Sequence, residues 1–165
     1  QVPRAKIDRL RAKIRRHADH SLVVEATHEP QDLFRFPGET IDKHALRDAR
    51  VLAFCGIGNP HAFFAALESL GATIVDRMIW PDHHDYTQSD VLRMQQWAAG
   101  FPEAEWVVCT MKDSVKLQAA EIDGRPMAAL RISLGLSHRD QEKLRHAVEQ
   151  TLEKRLHSSE KKSDE

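Results

Sequence analysis

The sequence predicts an α/β domain with a mainly parallel sheet covered by helices on both faces. Three observations carry this reading. Strand candidates alternate with helical patterns from Val51 onward, which is how parallel sheets acquire helices on both sides. The connections between them are short, so neighbouring strands pair without long crossings. Two of the helical patterns stop at or near a glycine, one at Gly71 and one near Gly100, and a glycine suits the end of a helix.

The elements follow in order. Residues 3–17 read as a helix: Pro3 suits a first turn, and Ile7, Leu10 and Ile14 form one apolar stripe. Residues 22–26 are a short strand candidate. Residues 28–44 mix Pro, Gly, Asp and Glu with Leu33, Phe34 and Phe36 and read as a partly anchored loop. Residues 51–55 read as a buried strand, 60–70 as a helix, 73–79 as a strand and 89–99 as a helix. A strand over 106–109 leads into a short helix from Lys112, and a further strand covers 128–133. Residues 137–156 read as a long helix. Ser137 can cap it, and Leu144, Ala147, Val148, Thr151 and Leu152 form its apolar face. The polar tail at 157–165 reads as disordered. This gives a leading helix, strand and loop over 1–50, an α/β domain over 51–156, and the tail. The sequence shows no internal repeat.

Composition narrows the classes. The chain has 165 residues, 41% hydrophobic and 30% charged, which suits one domain with its own core. A formal net charge of −1 supplies no global basic field for a nucleic-acid partner. No apolar run approaches the roughly 18 residues that span a bilayer, and no apolar stretch follows the basic N-terminal residues as a signal peptide requires. That basic helix, with Arg4, Lys6, Arg9, Arg11, Lys13, Arg15 and Arg16, reads as a solvated face; its apolar stripe is thin for insertion into a membrane surface. Cys55 and Cys109 lie far apart and in no zinc-like spacing, so they read as reduced, buried thiols at strand ends. The chain opens on Gln1 inside a helical pattern, as a fragment or a processed protein would.

In parallel sheets, ligands sit beyond the carboxyl ends of the strands. Three unusual loops follow strands here, so parallel pairing brings all three to one edge. The first runs Gly56-Ile57-Gly58-Asn59-Pro60 into a helix. Its glycines allow close backbone approach and the helix start favours an anion, although the third glycine of a dinucleotide fingerprint is absent and the loop alone reads as a tight turn. No Gly-x-x-x-x-Gly-Lys-Ser/Thr phosphate loop occurs in the sequence. The second loop gathers Asp82, His83, His84, Asp85 and Tyr86. A histidine beside a carboxylate can act as general base near neutral pH. Metal binding is a rival, and so is a plain polar loop with Asp82 capping a turn; adjacent side chains seldom chelate one ion, and no second His/Cys cluster completes a zinc set. The third loop is Thr110-Met111-Lys112-Asp113. Lys112 can neutralise phosphate charge, while Thr110 or Asp113 can equally cap a helix.

Three strings taken together resemble one family: VLAFCGIGNPHAFFAALESLGA, WPDHHDYTQSD and VVCTMKDSVKL. In order and spacing they are similar to the C-terminal half of tetraacyldisaccharide 4'-kinase. That family shows a Gly-Ile-Gly-x-Pro loop, an Asp-His motif, then Thr-Glu-Lys-Asp-Ala-Val-Lys. Here Met111 stands in place of the Glu and Ser114 in place of the Ala, while Lys112, Asp113 and Lys116 are kept. The resemblance covers roughly residues 22–156.

The resemblance implies the C-terminal domain of a phosphate-loop-type kinase. The kinase moves the ATP γ-phosphate onto the 4'-hydroxyl of a tetraacyldisaccharide 1-phosphate, in lipid A synthesis at the cytoplasmic face of the inner membrane. It implies that Mg²⁺ and ATP are held by an N-terminal half with no counterpart here, so the fragment is inactive alone. The partners implied are the lipid A disaccharide precursor, that N-terminal domain and a peripheral membrane contact. The family's catalytic histidine falls on His83, and His83 with the preceding Asp82 are the catalytic candidates. Gly56, Gly58, Asn59, His84, Tyr86, Thr110, Lys112 and Asp113 are then candidates near substrate or phosphate, and no residue is assigned to a metal. Two alternatives stay open: a non-catalytic α/β binding module, and a metal-dependent hydrolase built on Asp82, His83, His84 and Asp85.

Overall fold

The computed structural model describes residues 3–160. The chain divides into two compact units. One is drawn from its two ends, up to His28 and from Leu134; the other is Glu29–Ser133. The sequence reading sets its own boundaries at 50/51 and 156/157.

The end unit contains helices α1 (Arg4–His17) and α5 (His138–Glu160). Helix α1 buries no residue: Leu10 is 58% exposed, and only Ile7 and Ile14 of the expected stripe are half-buried. Polar contacts hold it instead, with Arg4 and Arg11 reaching Glu25 at 3.2 and 2.6 Å. The apolar residues of α5 do lie at helical spacing, yet Leu144, Val148 and Leu152 are all exposed. Helix α5 runs through Glu160, so residues 157–160 are helical where a disordered tail is expected. The remainder of that tail, 161–165, lies outside the described residues.

The central unit carries the sheet. Its strands are β1 (Ala26–Arg35), β2 (Glu39–Asp42), β3 (Arg50–Cys55), β4 (Thr73–Ile79), β5 (Trp106–Thr110), β6 (Glu121–Ile122) and β7 (Arg125–Leu136), of which β1 and β7 continue into the end unit. The order is β2-β1-β7-β5-β3-β4, with β6 paired to β7. Strand β3 pairs in parallel with both β4 and β5, and β5 with β7. The expected adjacent, parallel trio therefore forms, and its carboxyl ends share one edge. Strand β3 is buried on both faces because its residues alternate between two cores. Val51, Ala53 and Cys55 pack with Phe63, Phe64 and Leu67 of α2 (Pro60–Ser69). Leu52 and Phe54 pack with Met94 and Ala98 of α3 (Gln88–Ala99). Each large side chain buried this way contributes roughly 1.5–3 kcal/mol.

The sequence reading fails between residues 22 and 44. Residues 22–25 form no strand, and the expected loop is a β1–β2 hairpin with Leu33 opposite Ile41. Polar side chains stitch this hairpin and so hide it from a hydrophobic pattern. Arg131 forks onto both carboxylate oxygens of Asp32, Gln31 reaches Ser133 at 2.7 Å, and Lys43 donates to Pro30 O at 2.7 Å. Strand β7 also extends beyond the expected 128–133 at both ends, and β6 has no counterpart in the sequence reading.

Candidate functional site

Three strand ends deliver the three loops, and one carboxylate ties them together. Helix α4 (Met111–Leu117) starts directly after β5, with Thr110 as its cap. Its third residue, Asp113, is only 2% exposed. The carboxylate accepts the Gly56 N–H at 3.2 and 3.3 Å, the Tyr86 hydroxyl at 2.8 Å and the Thr110 hydroxyl at 2.6 Å. Each loop thus gives Asp113 one donor, which is how a buried carboxylate stays compensated. Its charge is felt around it. Burial, then Asp113, pushes the Cys55 thiol up to about 11. The Cys109 thiol and the Tyr86 hydroxyl are raised by the same causes in the same order. Both cysteines are unpaired and buried at strand ends, as read from the sequence.

Gly56 is required by this contact. A Cβ there would meet Asp113 Oδ1 and Pro81 O, each at 3.2 Å. At Gly58 a Cβ would meet Asp82 Oδ2 at 3.2 Å. Asn59 serves structure, its side chain accepting the Ala62 N–H as the cap of α2.

The histidine loop splits into an inward and an outward part. His84 is turned inward: its ring stacks on Trp80 with centroids 4.5 Å apart, and Nε2 lies 3.1 Å from Asp90 Oδ2. Asp90 belongs to a capping box with Thr87 at the start of α3. The Thr87 backbone N–H, then its hydroxyl, hold the Asp90 carboxyl below its ordinary range. Tyr86 packs edge-on against Phe54, Trp80 and His84. His83 is turned outward, with its side chain 79% exposed and Asp82 Oδ1 4.0 Å from Nε2. Its backbone is left-handed, with φ 61°, a conformation a histidine adopts at a cost of order 1–3 kcal/mol unless its surroundings impose it. The surroundings do: the His83 N–H is shared between Gly56 O at 3.3 Å and Asp82 Oδ1 at 3.1 Å.

A cavity of about 470 Å³ opens beside His83, lined by Gly56, Met111, Lys112, Val115 and Lys116 as well, with the buried Asp113 at its base. Lys112 is exposed at its rim, and Met111 is half-buried against the core beneath. Ser114 is buried, with 2% of its surface exposed. Of the sequence candidates, the structure brings His83, Asp82, Gly56, Gly58 and Lys112 to the open edge. It turns His84, Tyr86, Thr110 and Asp113 into the scaffold beneath. Asp82, His83, His84 and Asp85 do not converge as a metal set requires, and no group of three or more His, Cys, Asp or Glu suited to a metal occurs among the described residues. Sequence reasoning gave no part to Trp80 and Asp90. The Thr87-x-x-Asp90 spacing, a capping-box signature, was the available signal for the second.

Comparison with known proteins places these features in context. The family model described as tetraacyldisaccharide-1-P 4'-kinase matches residues 3–153. A tetraacyldisaccharide 4'-kinase of Syntrophus aciditrophicus is 35% identical over 78% of this chain and 34% of its own length. One from Chelativorans is 44% identical over 53% of this chain and 25% of its own. The chain thus spans about a quarter to a third of the length of these curated relatives. The fold resembles a crystal structure of LpxK from Aquifex aeolicus in complex with ATP, with TM-score 0.50 and 23% identity, over 82% of this chain and 40% of that one.

Proposed function

The chain belongs to the tetraacyldisaccharide-1-P 4'-kinase family, and from that premise we propose that it is the part of a lipid kinase that presents His83 to the acceptor hydroxyl. The acceptor is the 4'-hydroxyl of a tetraacyldisaccharide 1-phosphate, and the donor is ATP. The observation that carries this is the setting of His83. It is an exposed ring on a constrained backbone, at the carboxyl edge of a parallel sheet, beside a cavity with a lysine at its rim.

Phosphoryl transfer asks a protein mainly for positioning and charge neutralisation, with one group to orient or deprotonate the nucleophile. His83 meets that last need: a neutral imidazole nitrogen can accept the hydroxyl proton as the oxygen attacks. Lys112 adds positive charge at the same rim. ATP and Mg²⁺ do not fit this chain's residues. The Gly56–Pro60 turn lacks the lysine and the backbone cradle of a phosphate loop, and the described residues contain no metal-binding carboxylate cluster. Both groups are assigned to stretches of the full-length relatives that this chain does not span. An acylated acceptor calls for peripheral contact with a membrane, and our reading puts that contact at the cytoplasmic face of the inner membrane. Among the described residues no helix is long and apolar enough to cross a membrane.

The test is steady-state kinetics on the full-length enzyme that carries this sequence, with lipid and Mg-ATP varied separately. His83→Ala is expected to lower kcat by about 10²–10⁴-fold with little change in either KM. Unchanged turnover would refute the assignment and favour a non-catalytic module.

A further inference from the structure

Among the described residues the His83 ring makes one ion-pair contact, with Asp82 at 4.0 Å, and 79% of the side chain is exposed. With so little of the side chain covered, the position of the ring depends on how firmly the backbone beneath it is held. The N–H side of that backbone is fixed by Gly56 O and Asp82 Oδ1. The carbonyl side is fixed from a different element. Lys116, one helical turn beyond Lys112 on α4, sends its ammonium to His83 O at 3.1 Å, His84 O at 2.6 Å and Asp85 Oδ1 at 3.1 Å. An ammonium has three donors, and these three acceptors occupy them.

We propose that Lys116 is a positioning residue for His83. It clamps the two carbonyls that follow the strained φ of residue 83 and holds the imidazole at the site edge. This rests on the catalytic reading of His83 and extends it. Two features set the clamp apart from an ordinary surface ion pair. Asp85, the one charged partner, has its side chain 96% exposed, where an ion pair adds little. The two carbonyls are neutral acceptors converging on one cation, and the first belongs to a residue whose backbone is left-handed. Helix α4 is itself anchored by Asp113 to Gly56 and Tyr86. The lysine therefore connects the His83 backbone to a rigid base rather than to another loop.

The same ammonium lines the cavity, so direct contact with a substrate phosphate is the competing role, and kinetics separate the two. In the full-length enzyme, Lys116→Met is expected to lower kcat by roughly 10–100-fold, the scale on which a small misplacement of a reacting group acts. KM for tetraacyldisaccharide 1-phosphate and for Mg-ATP should stay within about threefold. The double variant His83→Ala/Lys116→Met should be no slower than His83→Ala alone, because a residue acting only through His83 has nothing left to act on. Lys116→Arg, which keeps a cation and donors for the same carbonyls, should recover most of the turnover. Should Lys116→Met fail to fold by its melting curve, Lys116→Gln carries the same cycle. A raised KM at constant kcat, additive losses in the double variant, or wild-type turnover each overturns the clamp. If His83→Ala itself retains full turnover, the catalytic reading fails first, and the inference falls with it.

Discussion

His83 and His84 are neighbours in sequence with opposite settings: one ring lies in solvent, the other is stacked on Trp80 and bonded to Asp90. The resemblance singled out the first histidine, but nothing local in the sequence says that the second is a structural member. That depends on an aromatic from the end of β4 and a cap from α3, brought together by the fold. Asp113 shows the same limit. As the third residue of a helix after Thr110 it reads as a cap, and it does meet Thr110; its burial and its bonds to Gly56 and Tyr86 are tertiary facts. They give a direct prediction. Tyr86→Phe keeps the ring contacts with Phe54 and Trp80 and removes one donor from a buried carboxylate. It should lower stability by about 1–3 kcal/mol, the range for a hydrogen bond to a charged group. Urea denaturation of the two proteins measures this, and a difference under about 0.5 kcal/mol would mean that water replaces the hydroxyl.

At the scale of elements, the parallel strands and the helices between them were legible because their apolar residues recur with clear periods and their ends carry glycine or a cap. The β1–β2 hairpin was not, since Gln31, Asp32 and Lys43 bond where a buried strand would place apolar groups. Helix starts repeat one device. Thr87, Thr110 and Ser137 each stand three residues before an aspartate whose N–H their hydroxyl accepts. Two of these boxes give a pH prediction. Hydrogen bonds from Thr87 lower Asp90, and hydrogen bonds from Lys143, then Ser137, lower Asp140. A carboxyl lowered on folding adds stability that is complete above its unfolded pKa, about 3.9, and is lost as pH falls through the lower folded value. Urea midpoints should therefore be flat with respect to these groups between about pH 7 and 5 and should fall below about pH 4. Asp90→Asn should shallow that acid fall while keeping an acceptor for Thr87; an unchanged acid slope would show that the box carries no linkage.

For the whole molecule, the fold class was legible, and so was the convergence of three loops, because parallel pairing alone puts consecutive strand ends on one edge. The division into two units was not: its bounds fall inside β1 and β7, and the large apolar residues of β1 are confined to Leu33 and Phe34. What the converged edge holds sets the behaviour of the chain by itself. Several of its polar groups are already committed. Asp113 bonds inward, the Lys116 ammonium is occupied by three oxygens, and the Gly56 N–H points at a carboxylate rather than at an anion. Nucleotide phosphates are held by several backbone N–H groups converging with a lysine. The Gly56–Pro60 turn cannot offer that arrangement while the Gly56 N–H faces Asp113, and Lys112 alone is a single charge screened by salt. Purified by itself, the chain is expected to bind Mg-ATP no more tightly than about 1 mM, a free energy near −4 kcal/mol. Isothermal titration calorimetry at physiological ionic strength measures this directly. Micromolar affinity would reveal a nucleotide site in this chain and would overturn the assignment of ATP to other parts of the enzyme, while leaving the His83 prediction to stand on its own kinetics.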